Sequence, residues 1–343
     1  MSSSQRELPE PPADAISCLD FSPHTPNRLL VSSWDKGAYL YDVAAGSRVS
    51  SVSFDAALLG ICFGENDEEA FAGGLDCDVH RIDFANGSKT TLSSHSKPVR
   101  SVVYDREHKL LISASWDATL HIHNLSSSRT EQSYATVTIP SKPFAMSLSS
   151  SKLVVAMSNR TFFIYELSVL ADLPLGPSDI QPWQARESSM KFMTRAVACM
   201  PDDSGYASSS IEGRVAVEWF DPSEESQKRK YAFKCHRVAE PDGTDTVYPV
   251  NALAFHPERN VFASGGGDGL VSLWDAIAKR RIKQYQKFGS SVAALAFSND
   301  GRYLAIATSP GFEDGKEPEE MEGLVKVIVR ELAPDEAKMK VKK

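Results

Sequence analysis

An all-β fold, a seven-bladed β-propeller, is what this sequence predicts, and three observations predict it. The first is a repeated acidic turn with a bulky strand residue six positions beyond it. Asp35 leads to Tyr41, Asp117 to His123, and Asp268 to Trp274. The second is spacing: Asp35, Asp76 and Asp117 lie 41 residues apart, and Asn159 follows 42 later. The third is that short strand patterns rich in small residues precede each turn. A period of about 40 residues with short strands and tight acidic turns is the signature of WD-type repeats, and seven of them fill a chain of 343 residues.

The blades read off in order. In the first, Ile16 to Phe21 alternates, and Leu29 to Ser33 runs into the turn at Asp35. The second has Gly60 to Phe63, then Ala70 to Gly74 and Asp76. The third has Val99 to Tyr104, then Leu110 to Ser115. The fourth has Phe144 to Leu148, then Leu153 to Met157 and Asn159. The fifth has Arg195 to Met200, then Tyr206 to Ser210 and Glu212. The sixth has Val250 to Phe255, then Val261 to Gly266 and Asp268. The seventh has Val292 to Phe297, then Tyr303 to Thr308, and resumes at Leu324. Ser, Ala and Gly precede the turns because blades crowd together there and large side chains do not fit. Glu218 falls where most blades carry Tyr, His or Trp, which predicts an irregular fifth blade.

The seventh blade lacks a fourth strand of its own. Residues 5–9 are the natural candidate, and pairing them there would close the ring and remove an open sheet edge. The expected organisation is an N-terminal closing segment (1–14), the propeller (15–332) and a charged tail (333–343). Three stretches depart from the repeat: 168–193, 221–248 and 311–323. Residues 222–230 form at most one helical turn. The last stretch carries six acids against one lysine and reads as a solvated loop.

Composition narrows the function. No apolar run reaches the roughly 18 residues of a membrane helix, and residues 1–14 hold no signal-peptide core. Five cysteines show no pairing pattern, so disulfides are not expected and a reducing compartment is. The glycosylation sequons at Asn86, Asn124 and Asn159 then read as chance. A net charge of −8 argues against bulk nucleic-acid binding. Gly265 to Gly269 resembles a phosphate-cradling loop but lacks the Lys-Ser/Thr and the helix of one, so it reads as a hairpin turn. No spacing suggests a metal, and no cofactor is expected. His95 and His236 each precede an inner strand and should hydrogen-bond the turn acids Asp117 and Asp268. No serine has a strained nucleophile context, so nothing points to an enzyme.

Longer segments are more specific. Ser209-Ser210-Ile211-Glu212-Gly213-Arg214 continues through Glu218 and is followed by Lys234-Cys235-His236-Arg237, Tyr248-Pro249-Val250-Asn251 and Ala296-Phe297-Ser298-Asn299-Asp300-Gly301. This combination closely resembles the spindle-checkpoint WD-repeat family of the kinetochore, the smallest of the "budding uninhibited by benzimidazole" group. A sister family, the nuclear-pore propellers of messenger-RNA export, shares the Ile-Glu-Gly-Arg and Lys-Cys-His-Arg segments. Ala216-Val217-Glu218, the Asn-Asp-Gly turn and the acidic stretch 313–322 favour the checkpoint family.

The resemblance implies a nuclear adaptor that sits at kinetochores in mitosis. Its partners would be a checkpoint kinase and its pseudokinase-like relative, each through a GLEBS segment bearing paired glutamates. It would also bind phosphothreonine in Met-Glu-Leu-Thr repeats of a kinetochore scaffold, and join the checkpoint complex that inhibits a ubiquitin ligase. Neither membrane nor nucleic acid is an implied partner. The alternatives are a nucleoporin-binding export propeller and a substrate receptor of a ubiquitin ligase.

Candidate residues follow. Trp34 and Trp116 place an indole at a turn where a small or polar residue is usual. They either anchor a GLEBS peptide or pack against neighbouring blades. Arg195 opens an inner strand and faces either a ligand or the channel. Glu212 replaces the usual turn Asp and either contacts the peptide or holds Arg214. Arg214 and Lys234 are assigned to phosphothreonine. The bland readings are a surface bridge from Arg214 to Glu212 or Glu218, and a solvated Lys234.

Overall fold

The computed structural model describes residues 4–126, 133–311 and 323–338. Among them the strands form seven sheets of four or five strands and one two-stranded ribbon. The fold is the all-β, seven-bladed propeller that the spacing predicts. The acidic positions 313–322 lie outside the described residues. The chain divides into two compact units, residues 17–188 and residues 1–16 with 189–343.

The first unit carries blades one to four. The first two are antiparallel meanders, as in Ile16–Phe21, Arg28–Ser33, Gly37–Asp42 and Ser47–Ser53 of the first blade. The second strands Glu69–Gly74 and Leu110–Ser115 are buried along their whole length. Small residues are required there, because a Cβ on Gly73 would collide with Val99 of the next blade. Between the first two blades Leu30, Leu40, Phe54, Phe63 and Ile82 share one apolar core. Each such side chain contributes roughly 1.5–3 kcal/mol by leaving water.

The stretch after residue 167 is less of a departure than the sequence suggests. Leu167–Ala171 is a short helix anchored by buried Leu167 and Leu170. Gly176–Ser178 then pairs in parallel with Ala135–Thr138, adding a fifth strand to the third blade. Gln184–Glu187 returns to complete the fourth blade.

The second unit carries blades five to seven. Thr194–Cys199, Gly205–Ser210, Arg214–Trp219 and Tyr231–Lys234 make a regular fifth blade. The irregularity expected from Glu218 is therefore absent. Its carboxylate is buried and accepts a hydrogen bond from the Tyr206 hydroxyl at 3.1 Å, so the charge has an internal partner. The helix in the 221–248 stretch is one short turn, Glu224–Lys228, capped by Ser223. Arg237–Ala239 and Asp245–Val247 form the two-stranded ribbon.

The seventh blade takes its outer strand from the N-terminus. Ser4–Glu7 pairs antiparallel with Lys326–Glu331, in register from Ser4↔Glu331 to Glu7↔Ile328. Leu8 extends the attachment, with its N–H donating to the Val327 carbonyl at 2.8 Å and its side chain buried. Among the described residues all five cysteines are free thiols.

Candidate binding surfaces and family

The turns position the tryptophans. In the first blade the Asp35 carboxylate accepts the Gly37 N–H at 2.9 Å and the Tyr39 hydroxyl at 2.7 Å. Those bonds fix the turn and leave Trp34 at its tip, 45% exposed. Trp116 precedes Asp117 in the third blade and is half-buried. Leu75 holds the corresponding position in the second blade, so 34, 75 and 116 are evenly spaced by 41 residues. Leu75 is 36% exposed. A leucine at a turn gives no signal by type; the repeat spacing alone could have found it.

The acid–histidine bonds expected at two turns are present. His95 Nδ1 lies 3.3 Å from the Asp117 carboxylate, and its Nε2 lies 2.9 Å from Ser113 Oγ. His236 Nδ1 lies 2.8 Å from Asp268, and its Nε2 lies 2.8 Å from Ser264 Oγ. Ser, His and Asp so connected look like a hydrolase triad, yet Ser264 is 0% exposed and already accepts the Trp274 indole N–H at 2.8 Å. A substrate carbonyl has no approach to that oxygen, so the chain of bonds braces the blade. Asp76, Asp78 and His80 bring three potential metal ligands together in the second blade. His80 Nε2 already lies 2.8 Å from Asp76, which explains the cluster as another brace.

In the second unit the predicted residues fall into two groups. Arg195 is exposed, and its Nε donates to Asn251 Oδ1 at 3.1 Å. Asn251 in turn donates to Ser291 Oγ and to the Val292 carbonyl, both at 3.1 Å. The inner strands of three successive blades thus hold this guanidinium in place. Asn251 lies in the Tyr-Pro-Val-Asn segment, where nothing local marks it as the support of Arg195.

The other group is Glu212, Arg214 and Lys234. Arg214 and Lys234 are directly opposed on adjacent strands. The Glu212 carboxylate lies 3.6 Å from Arg214 Nε, both side chains being partly exposed. Of the two bridges open in the sequence, Glu212 is the one formed. Gly213 makes the turn possible. Its φ is +63°, and a Cβ there would sit 2.7 Å from the Cys235 carbonyl oxygen. Arg237 adds a lock the sequence did not reveal, donating to the Glu212 carbonyl at 2.7 Å and to the Gly213 carbonyl at 3.3 Å.

Beside this pair lies a cleft of about 250 Å³, lined among others by Lys234, Arg237, Trp274, Arg281 and Asp268. Burial pushes the Cys235 thiol on its wall up to about 12, so it stays neutral. Three cations around one cleft suit an anionic group. The tryptophan turns belong to the unit of residues 17–188.

Comparison with known proteins adds the lineage. The family pattern described as "WD domain, G-beta repeat" matches residues 2–42, 86–124 and 232–275. The solved "Structure of U3-55K" is similar at a TM-score of 0.78 and 16% identity, covering 96% of this chain and 98% of that one, a likeness of fold alone. "mRNA export factor GLE2" of Chaetomium thermophilum is 29% identical over 97% of this chain and 91% of its own length. "Mitotic checkpoint protein BUB3.1" of Arabidopsis thaliana is 44% identical over 99% of this chain and 96% of its own length. At that identity over nearly the full length, the chain belongs to the Bub3 family of mitotic checkpoint WD-repeat proteins.

Proposed function

We propose that this protein is a non-catalytic adaptor of the mitotic spindle checkpoint, acting in the nucleus and at kinetochores. It binds GLEBS segments of the checkpoint kinase and its pseudokinase-like relative. It also binds phosphorylated Met-Glu-Leu-Thr repeats of a kinetochore scaffold, and so feeds the complex that restrains a ubiquitin ligase. The observation that carries this reading is the opposed Arg214–Lys234 pair beside a three-cation cleft. A phosphothreonine carries about −1.5 to −2 charges and takes a guanidinium plus a second cation as partners.

The GLEBS segment is assigned to Trp34 and Trp116, and to Arg195 and Glu212. An exposed indole supplies apolar area at low entropic cost, and the Asn251-held guanidinium suits a glutamate. Glu212, already beside Arg214, would accept from the peptide backbone.

The test compares phosphorylated and unphosphorylated Met-Glu-Leu-Thr peptides by fluorescence polarisation. The wild type should prefer the phosphopeptide, and the preference should weaken with salt. Arg214→Ala/Lys234→Ala should abolish it while sparing GLEBS binding. Equal preference in both proteins removes these residues from the site. A wild type without any preference, yet binding a nucleoporin GLEBS segment, favours the export reading that the similarity to GLE2 supports.

A further inference from the structure

The outer strand of the sixth blade, Arg280–Gln284, differs from every other outer strand among the described residues. It holds three cations in five residues, Arg280, Arg281 and Lys283, where the outer strands of the other blades hold one or none. From position 276 to 289 there are five cations and no acid, in a chain whose net charge is −8. One charge per outer strand suffices to discourage edge-to-edge pairing. Five within nine positions need another reason, since like charges this close repel one another.

The strip adjoins two clefts. Arg281 and Gln284 line the 250 Å³ cleft that also holds Lys234. Lys283, Gln284 and Lys287 line a second cleft, of about 410 Å³, together with Arg330. This chain already supplies a carboxylate to the strip. The segment after the seventh blade folds back so that Glu336, 8% exposed, accepts from Lys283 Nζ at 3.1 Å and from Arg330 Nε at 2.8 Å. One acidic side chain is therefore seated at the strip's end, while Arg280 and Arg281 remain exposed.

We infer that the outer edge of the sixth blade is a docking surface for an extended, carboxylate-rich polypeptide of a partner protein. Arg280 and Arg281 are its charge contacts, and the terminal strand of the sheet is its template. Among the described residues Arg280–Gln284 ends its sheet and has a strand neighbour on one side only, so its other edge offers main-chain donors and acceptors to an added strand. Arg280 and Lys283 pair with Asp275 and Leu273 on one face of the sheet and Arg281 with Trp274 on the other, so alternate acidic side chains of that strand would meet the cations of one face and acids at the intervening positions those of the other. A polypeptide fits better than a nucleic acid. The aromatic rings nearby, Tyr231, Phe233 and Trp274, are half-buried and face Lys279, Arg281 or one another, at 4.7, 5.9, 6.0 and 4.5 Å, so they offer no platform for bases. This surface does not depend on Arg214 or on phosphate, although Arg281 and the cleft it lines with Lys234 are shared with the reading proposed above.

The test uses the full chain and three labelled probes: a twelve-residue alternating Thr-Glu peptide, its Thr-Gln counterpart, and a twelve-nucleotide oligouridine. The Thr-Glu peptide should bind at least tenfold tighter than either of the others at low salt, with affinity falling steeply as salt rises. Arg280→Gln/Arg281→Gln should weaken it about tenfold. Lys109→Gln/Lys191→Gln removes the same charge elsewhere and should change it less than twofold. If the double variant loses the wild-type circular dichroism, Arg281→Gln alone is measured, with about a threefold loss expected. Equal binding of the Thr-Gln peptide, an unchanged affinity in the strip variants, or an equal loss in the control overturns the inference. Tighter binding of the oligouridine overturns the choice of partner.

Discussion

Arg214 and Lys234 stand directly opposite each other on the third and fourth strands of the fifth blade. Like charges so placed are destabilising, by roughly 0.2–1 kcal/mol on the scale of cross-strand pairs. Glu212 at 3.6 Å from Arg214 offsets part of that, but a partly exposed bridge contributes little. The free protein therefore holds an arrangement that a bound anion would relieve.

From this follows a separation of stability from binding. Lys234→Ala should leave the melting temperature unchanged or slightly higher, while phosphopeptide affinity falls at least tenfold, about 1.4 kcal/mol. Thermal scans and polarisation on one preparation check both. A loss of stability above about 1 kcal/mol would give Lys234 a bracing role and weaken its assignment to the site.

The second prediction concerns the evenly spaced turn residues 34, 75 and 116. Trp34→Ala or Trp116→Ala should each cost about 2 kcal/mol or more of GLEBS-peptide binding, as buried aromatic anchors do. Leu75→Ala should cost about 1 kcal/mol, because it removes less area. Trp34 and Leu75 are exposed in the free protein, so their variants should melt as the wild type does. Calorimetry on folded variants decides it; full affinity in Trp34→Ala would return that indole to an incidental surface role.

What the sequence made legible was whatever repeats. A tight turn needs a polar residue or glycine at a fixed place, so the 41–42-residue spacing marked the first four blades, and the small residues of the crowded second strands marked the other three. The acid–histidine braces were legible for the same reason. What escaped depends on contacts between distant positions. Nothing local marks Tyr206 as the partner of Glu218, Asn251 as the support of Arg195, or Glu336 as a carboxylate seated on Lys283 and Arg330. The parallel strand Gly176–Ser178 escaped because proline and glycine there argue for loop. Leu75 was missed because leucine at a turn is unremarkable until its spacing to Trp34 and Trp116 is compared.

The third prediction concerns the N-terminal strand. Its four residues are exposed, so little apolar burial comes from Ser4–Glu7 itself. Its contribution lies in ladder bonds, in the Glu7–Lys326 pair at 2.8 Å, and in the buried Leu8. Removing residues 1–8 leaves Lys326–Glu331 as an uncovered edge. The truncated protein should melt several degrees lower and aggregate sooner on heating, by differential scanning fluorimetry and light scattering. An unchanged melting temperature would mean that the seventh blade is stable with three strands.

The last prediction follows from Asp20, on the inner strand of the first blade. Burial pushes its carboxyl up to about 6, and the hydrogen bond it accepts from the Phe63 N–H at 2.9 Å recovers only part of the loss. An acid whose pKa is raised by folding binds more protons in the native state than in the unfolded one between the two values. Its contribution to stability therefore declines as pH rises from the unfolded value near 3.8 to about 6, and the full cost persists above. Asp20→Asn keeps an oxygen for the Phe63 N–H and carries no charge. It should stabilise the protein at pH 8 by on the order of 1–2 kcal/mol, and by progressively less as pH falls below 6. His121 works in the opposite sense. Burial and the neighbouring His95 and His123 hold His121 down to about 3, so its contribution is full above the ordinary histidine value of 6.5 and is lost as pH falls. The wild-type profile mixes both, which is why the difference between Asp20→Asn and wild type is the informative quantity. Denaturant titrations of the two proteins at pH 5, 6, 7 and 8 give it directly. A difference that does not grow with pH would show that Asp20 is ionised in the fold at little cost.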